Sequence, residues 1–180
     1  MNYHNITKDD MNNGDGLRVT LWCSGCELHC IGCQNPQTWA KDSGILFDED
    51  AKQEVFQELK KDYISGLTLS GGHPLEDYNI EELLSLVLEI KEKYPQKTIW
   101  LYTGFVFEDL FPEFKYATEI KLNSLQIKER RLCSLCDVLV DGPYIEEERD
   151  ITLKWRGSKN QRVIDIKNTF KENKIILWCD

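Results

Sequence analysis

No stretch of this sequence approaches the roughly 18 consecutive apolar residues that a membrane-spanning helix needs. Residues 1–16, MNYHNITKDDMNNGDG, hold no apolar core flanked by basic residues such as an export signal carries. A soluble, cytoplasmic protein with no membrane partner is expected. Basic residues are also scarce: 22 Lys and Arg stand against 31 Asp and Glu, for a net charge of -9. Wide contact with nucleic acid depends on Lys and Arg neutralising phosphates, so nucleic acid is not the expected partner. There is no repeat, low-complexity tract or linker. With 180 residues and 41% hydrophobic composition, one domain spanning 1–180 is expected.

What the chain does hold is cysteine, seven in all. A small secreted protein would use them as a disulfide scaffold, but the number is odd and no export signal precedes them, so metal-binding thiols fit better. Four of them, Cys23, Cys26, Cys30 and Cys33, crowd into one short stretch. Cys26-x3-Cys30-x2-Cys33 supplies three soft thiolates that could hold three irons of one cubane, leaving the fourth iron open to a small molecule. Cys23 is a candidate fourth ligand, as in a cluster that only carries electrons. Zinc competes in two forms. Cys23-x2-Cys26 with Cys30-x2-Cys33 resembles a ribbon whose halves stand too close together, and Cys133-x2-Cys136 could pair with two of the earlier cysteines. Ordinary buried thiols are the remaining alternative.

Leu17 to Trp22 alternates as a half-buried strand does and runs into the cysteine stretch. Ala51, Val55, Phe56, Leu59 and Tyr63 recur at helical spacing after the acidic Asp48-Glu49-Asp50. Gly66 to Ser70 reads as a short strand closed by Gly71-Gly72. A second helix carries the stripe Ile80, Leu83, Leu84, Val87, Ile90 and Tyr94, with Asn79 and Glu82 in a capping arrangement and Pro95 as its stop. Thr98 to Tyr102 and Val138 to Val140 read as buried strands closed by Gly104 and Gly142. This alternation implies an α/β fold with parallel strands, compatible with an incomplete barrel or an open sheet. Either architecture places its site at the C-terminal strand ends, where the cysteine loop, Gly71-Gly72 and Asp141-Gly142 all fall.

Cys26-Glu27-Leu28-His29-Cys30-Ile31-Gly32-Cys33 and Ser70-Gly71-Gly72-His73-Pro74 together resemble the two signatures of the radical S-adenosylmethionine superfamily. Further segments are similar, in order, to the family of activating proteins of anaerobic ribonucleoside-triphosphate reductases. They are Asn13 to Val19, Ser24-Gly25-Cys26, Cys33-Gln34-Asn35, Thr38-Trp39, Ile99 to Gly104, Val140-Asp141-Gly142 and Trp155 to Arg162. The resemblance implies an incomplete (β/α) barrel with mostly parallel strands and a 4Fe–4S cluster on Cys26, Cys30 and Cys33. It also implies S-adenosyl-L-methionine bound along Gly32, Cys33, Gln34, Gly71 and Gly72, with its amino and carboxylate groups on the open iron. The implied activity is reductive cleavage of that cofactor, fed by an external one-electron reductant, to place a glycyl radical on the large subunit of the reductase. No catalytic side chain is assigned. The rivals are a radical enzyme acting on a small molecule and a zinc-stabilised binding module without catalysis.

The sequence departs from the family pattern at several points. His73 stands where an acidic residue is usual, Gln34 where an aromatic is common, Asp15 where a proline is common and Pro143 where a basic residue is frequent. Arg156, Lys159 and Arg162 form a basic cluster, read as a solvated face or, more sharply, as a docking contact for the partner. The acidic run Glu146-Glu147-Glu148 reads as a solvated loop, and His4 and His29 receive no role.

Overall fold

Short β-branched and leucine-rich runs build one seven-stranded sheet in a computed structural model that describes residues 1–115 and 121–179. The strands are β1 (Asn2–Asp10), β2 (Leu17–Cys23), β3 (Ile45–Leu46), β4 (Ile64–Gly71), β5 (Thr98–Tyr102), β6 (Val138–Asp141) and β7 (Arg162–Asp165). Their spatial order is β3-β1-β2-β4-β5-β6-β7. β2, β4, β5 and β6 are parallel neighbours, whereas β1 is antiparallel to β2 and β3, and β7 to β6. The α/β expectation holds, but the sheet is open and parallel only at its centre. Connection length explains the β1–β2 pair: residues 11–16 join the two strands by a short turn that only an antiparallel pair accepts, while helical crossovers supply the parallel pairs.

The helices are α1 (Glu49–Leu59), α2 (Asp77–Lys93), α3 (Phe107–Leu110), α4 (Ser124–Leu135) and α5 (Ile166–Glu172). Among the described residues no helix is long and apolar enough to cross a membrane. Asp48 caps α1 by accepting from Ala51 N at 3.0 Å, and Glu49 and Asp50 suit the positive end of the helix dipole. That helix stops at Leu59, so Tyr63 leaves the expected stripe and is 56% exposed. α2 buries Ile80, Leu83, Leu84, Val87 and Ile90, each contributing about 2 kcal/mol by removal from water. Its expected cap is not made. Glu76 holds the N-cap position, and the buried Asn79 instead donates through Nδ2 to Ser24 O at 2.9 Å and His73 O at 3.2 Å.

Alternate strand residues face opposite ways. Val19, Leu21, Leu67, Leu69, Ile99, Leu101, Leu139 and Ile164 join α1, α2, α4 and α5 in one large core. The opposite face carries a smaller cluster of Trp100, Val138, Val140 and Val163, against which Tyr102 and Trp155 pack. Arg18 and Thr20 point to this second face and are fully buried, so β2 is a two-sided central strand and not the half-buried one its alternation suggested.

Candidate metal centre

The C-terminal ends of β2, β4, β5 and β6 open on one cavity of about 410 Å³. Cys26, Cys30 and Cys33 line it from the loop after β2, and Gly71, the last residue of β4, lines it with Gly72 and His73 just beyond. The cysteine loop is closed by its own backbone: Gly25 N donates to Thr38 O at 2.7 Å and Cys26 N to Trp39 O at 3.0 Å. Ser24 N ties it to β1 through Asn2 O at 3.0 Å. Within the loop, Cys33 N donates to Cys30 O at 3.1 Å, and Asn35 N points at Cys33 Sγ at 3.4 Å. All three thiols are partly exposed. Burial pushes the Cys26 thiol up, against the opposing pull of the Leu28 and His29 amides.

The glycine loop is fastened to the cysteine loop. Gly72 N donates to Cys23 O at 2.8 Å and His73 N to Gly25 O at 2.7 Å. Gly71 has φ +98°, and a Cβ there would stand 2.8 Å from Cys23 N; a Cβ on Gly72 would run into Gly25 O. Packing of one loop on the other therefore already demands both glycines. The buried His73 ring is fully occupied inside the protein, with Nδ1 3.1 Å from Glu76 Oε1 and Nε2 2.8 Å from Thr103 Oγ1. Glu76 Oε1 also accepts from Glu27 N at 3.2 Å, one position beyond Cys26.

Residues 12–164 match the family model described as a 4Fe-4S single cluster domain. The chain is 40% identical over 163 residues to the anaerobic ribonucleoside-triphosphate reductase-activating protein of Haemophilus influenzae, covering 89% of this chain and 96% of that one. It is 41% identical to the protein of the same name from Enterobacteria phage T4, over 91% of this chain and 93% of that one. The Escherichia coli K12 protein of that name is 37% identical, over 91% and 97% of the two chains. The chain belongs to this activating-protein family.

In this family member the expected site residues gather unevenly. Cys26, Cys30, Cys33, Gln34, Gly71 and Gly72 all line the cavity. Gly32 does not: it has φ +73°, and a Cβ there would meet the Glu146 carboxylate. Glu146 is exposed, as its solvated run was expected to be, while its carboxylate lies against Gly32 and accepts from Tyr144 OH at 2.6 Å. Cys23 lies in the large core, where burial raises its thiol to about 12, and it does not line the cavity. Cys133 and Cys136 are buried in that core as well. Among the described residues no three His, Cys, Asp or Glu groups are placed to hold a single metal ion. Thiolates serving three different irons stand further apart than ligands of one ion, so a single-ion criterion does not test a cluster.

The three residues of the basic cluster are engaged differently. Arg162 forks onto Glu108, with Nη1 to Oε1 at 3.0 Å and Nη2 to Oε2 at 2.7 Å, and its Nε donates to Asp141 Oδ1 at 3.1 Å. Lys159 is exposed beside Asp150, and Arg156 lines the cavity. Asn12, Asn13, Tyr102, Thr103, Trp155 and Gln161 also line the cavity and were assigned no role from sequence. Most of them fall inside the segments that carry the family resemblance, which was the available signal.

Proposed function

We propose that this chain is a radical S-adenosylmethionine enzyme that activates an anaerobic ribonucleoside-triphosphate reductase by generating a glycyl radical on its large subunit. The reading takes residues 1–180 as one domain and the open sheet as the incomplete (β/α) barrel of that superfamily. The observation that carries it is the meeting of Cys26, Cys30 and Cys33 with Gly71-Gly72 in one cavity at the parallel strand ends.

The donor set fits the implied group. Three soft, partly exposed thiols line the cavity, and no fourth cysteine does. Cys26, Cys30 and Cys33 would hold a 4Fe–4S cluster, and the backbone of Gly71 and Gly72, with Gln34 and the Gly32-Cys33 peptide, would receive S-adenosylmethionine. When bound, these groups supply one-electron cleavage of the sulfonium into methionine and a carbon-centred radical, with the electron coming from an external reductant.

The protein's own work is positioning and shielding. The bonds that Gly72 N and His73 N donate to Cys23 O and Gly25 O fix the distance between the cluster loop and the cofactor loop. Trp22, Tyr102, Leu153 and Trp155 give the cavity an apolar wall that excludes water from a reactive species. The reductase, docked over the strand ends, would complete the enclosure. A cytoplasmic setting belongs to the same reading, because cluster assembly needs reduced thiols.

The test is anaerobic reconstitution, with iron and sulfide analysis, followed by incubation with reductant, S-adenosylmethionine and the reductase. Four irons per chain, cofactor cleavage stimulated by the reductase, and a glycyl radical in electron paramagnetic resonance are expected. The signal must vanish when the target glycine of the reductase is alanine. Cleavage without any radical on the authentic reductase would leave only a radical enzyme of another substrate, and colourless zinc-containing protein would overturn the reading altogether.

A further inference from the structure

The cavity has an unusual charge for this molecule. The chain carries a net charge of -9, yet among the described residues no Asp or Glu lines the cavity, and the one Arg or Lys that does is Arg156. Pro143, near the end of β6, contributes no charge.

Arg156 is also unspent. Its Nε is buried with no hydrogen-bond partner, and among the described residues its guanidinium makes no ion pair. A buried guanidinium nitrogen left unpaired costs free energy unless something binds it. The backbone on either side, by contrast, is tightly held. Trp155 O accepts from Tyr102 OH at 2.8 Å, and the Trp155 ring meets Trp100 edge-on at 5.1 Å. Gly157 N and Ser158 N donate to Gln161 Oε1 at 2.9 and 3.2 Å, and Gln161 Nε2 returns to Gly142 O at 3.0 Å. Trp155 itself has φ +57°, a left-handed conformation that costs about 1 kcal/mol or more in a bulky residue. Strain maintained next to an unpaired cation at a cavity wall marks a built binding position.

We propose that Arg156 is the anion-binding residue of this cavity and takes the amino-acid carboxylate of S-adenosylmethionine. The inference rests on the functional reading above. Of the groups that reading brings to the cavity, the cofactor's ammonium and sulfonium are cationic and a glycine peptide is neutral, so the carboxylate is the organic anion that a guanidinium selects. His73 cannot substitute, because Glu76 and Thr103 occupy both ring nitrogens.

The test is calorimetric, on anaerobically reconstituted protein, with S-adenosylmethionine and its decarboxylated analogue, which keeps the sulfonium and the amine. Arg156→Gln should weaken S-adenosylmethionine binding on the order of 30-fold, as loss of a charge-assisted hydrogen bond does, and leave the analogue unchanged. Arg156→Lys, which keeps the charge without the fork, should lose on the order of 10-fold and serves if the Gln variant does not fold. Equal losses for both ligands, or no loss for either, would overturn the assignment while leaving the proposed function standing. Unchanged cofactor affinity with weakened binding of the reductase would move the anion to the partner, and also overturn it. Wild-type protein that binds neither ligand would remove the functional reading and the inference together.

Discussion

Thr103 Oγ1 lies 2.8 Å from His73 Nε2, which joins the end of β5 to the glycine loop. Thr103 Oγ1 also accepts from Phe105 N at 3.1 Å, so its own proton is free to go to Nε2. The other ring nitrogen then carries the hydrogen and donates to Glu76 Oε1 at 3.1 Å. One neutral tautomer satisfies every group in this chain. Partial burial raises the Glu76 carboxyl, but hydrogen bonds from His73 and the Glu27 amide outweigh it and hold it below its ordinary value. His73 is therefore a strut between loops, and the acidic function usual at its position is not restored by its ring.

Replacing His73 with an acid should not improve the protein. His73→Asp would set a carboxylate against Glu76 in a buried place, losing about 1–3 kcal/mol of stability and more than His73→Asn loses. Urea denaturation measures the stabilities, and calorimetry should show the Asp variant binding S-adenosylmethionine no better than wild type. An Asp variant more stable than the Asn variant would show that Glu76 does not face the ring.

The cysteines should divide into two classes. On the proposed ligand assignment, Ala at Cys26, Cys30 or Cys33 should abolish the brown cluster absorption, because each thiolate would serve a different iron. Cys23→Ala should keep the cluster and instead lose about 1 kcal/mol of stability through a small core cavity. Iron analysis with urea denaturation on the four variants separates a ligand from a core residue, and loss of iron in Cys23→Ala would require a four-cysteine site.

The central strands and the cysteine loop were legible because their signals are local: apolar runs closed by glycine, and thiols at fixed spacing. β1, of sequence NYHNITKDD, was not, since only Tyr3, Ile6 and Asp10 are buried and the rest of its side chains are polar or exposed. The burial of Arg18 was also invisible, because its partners Thr68 and Thr98 lie 50 and 80 positions away. The pairing of Arg162 was invisible for the same reason. Arg162 finds Glu108 54 positions away, a partner that its neighbours Arg156 and Lys159 do not reveal.

Arg18 should be the costliest charge in the protein to remove. All five of its donors are used: Nε to Thr68 Oγ1, Nη1 to Asp15 O and Thr98 Oγ1, Nη2 to Leu67 O and Thr98 O. Burial pulls its guanidinium down to about 10, so it remains charged at neutral pH with Trp100 5.3 Å away. Arg18→Met should cost about 3–5 kcal/mol by leaving buried acceptors unpaired. A loss under about 1 kcal/mol in urea denaturation would show that these carbonyls find other partners.

Glu108 and Arg162 should contribute a pH-dependent part of stability. The Arg162 hydrogen bonds hold the Glu108 carboxyl below its ordinary 4.5. A carboxyl lowered in the folded state stabilises above its unfolded value, and that contribution is lost as pH falls through the folded value. Between pH 7 and pH 3 the urea midpoint should therefore fall further in wild type than in Glu108→Gln. Parallel falls would mean that solvent screens the pair.

Gly72 offers the sharpest separation of cofactor binding from loop packing. If its only requirement were close approach of the cofactor, Gly72→Ala would leave the cluster loop undisturbed and weaken S-adenosylmethionine alone. The structure places Gly25 O where the new Cβ would go, on the same carbonyl that accepts from His73 N. Carbon and oxygen need roughly 3.3 Å, so the two loops must part, and the bonds from Gly72 N to Cys23 O and from His73 N to Gly25 O should lengthen together. The loop that parts carries Cys26 one position beyond Gly25. Gly72→Ala should thus lose iron on anaerobic reconstitution as well as cofactor affinity, while the helices keep their circular dichroism. Gly71→Ala should be worse folded, because φ +98° strains any side chain there in addition to the contact with Cys23 N. Full iron content in Gly72→Ala with affinity lost would return the glycine pair to a purely cofactor-facing role.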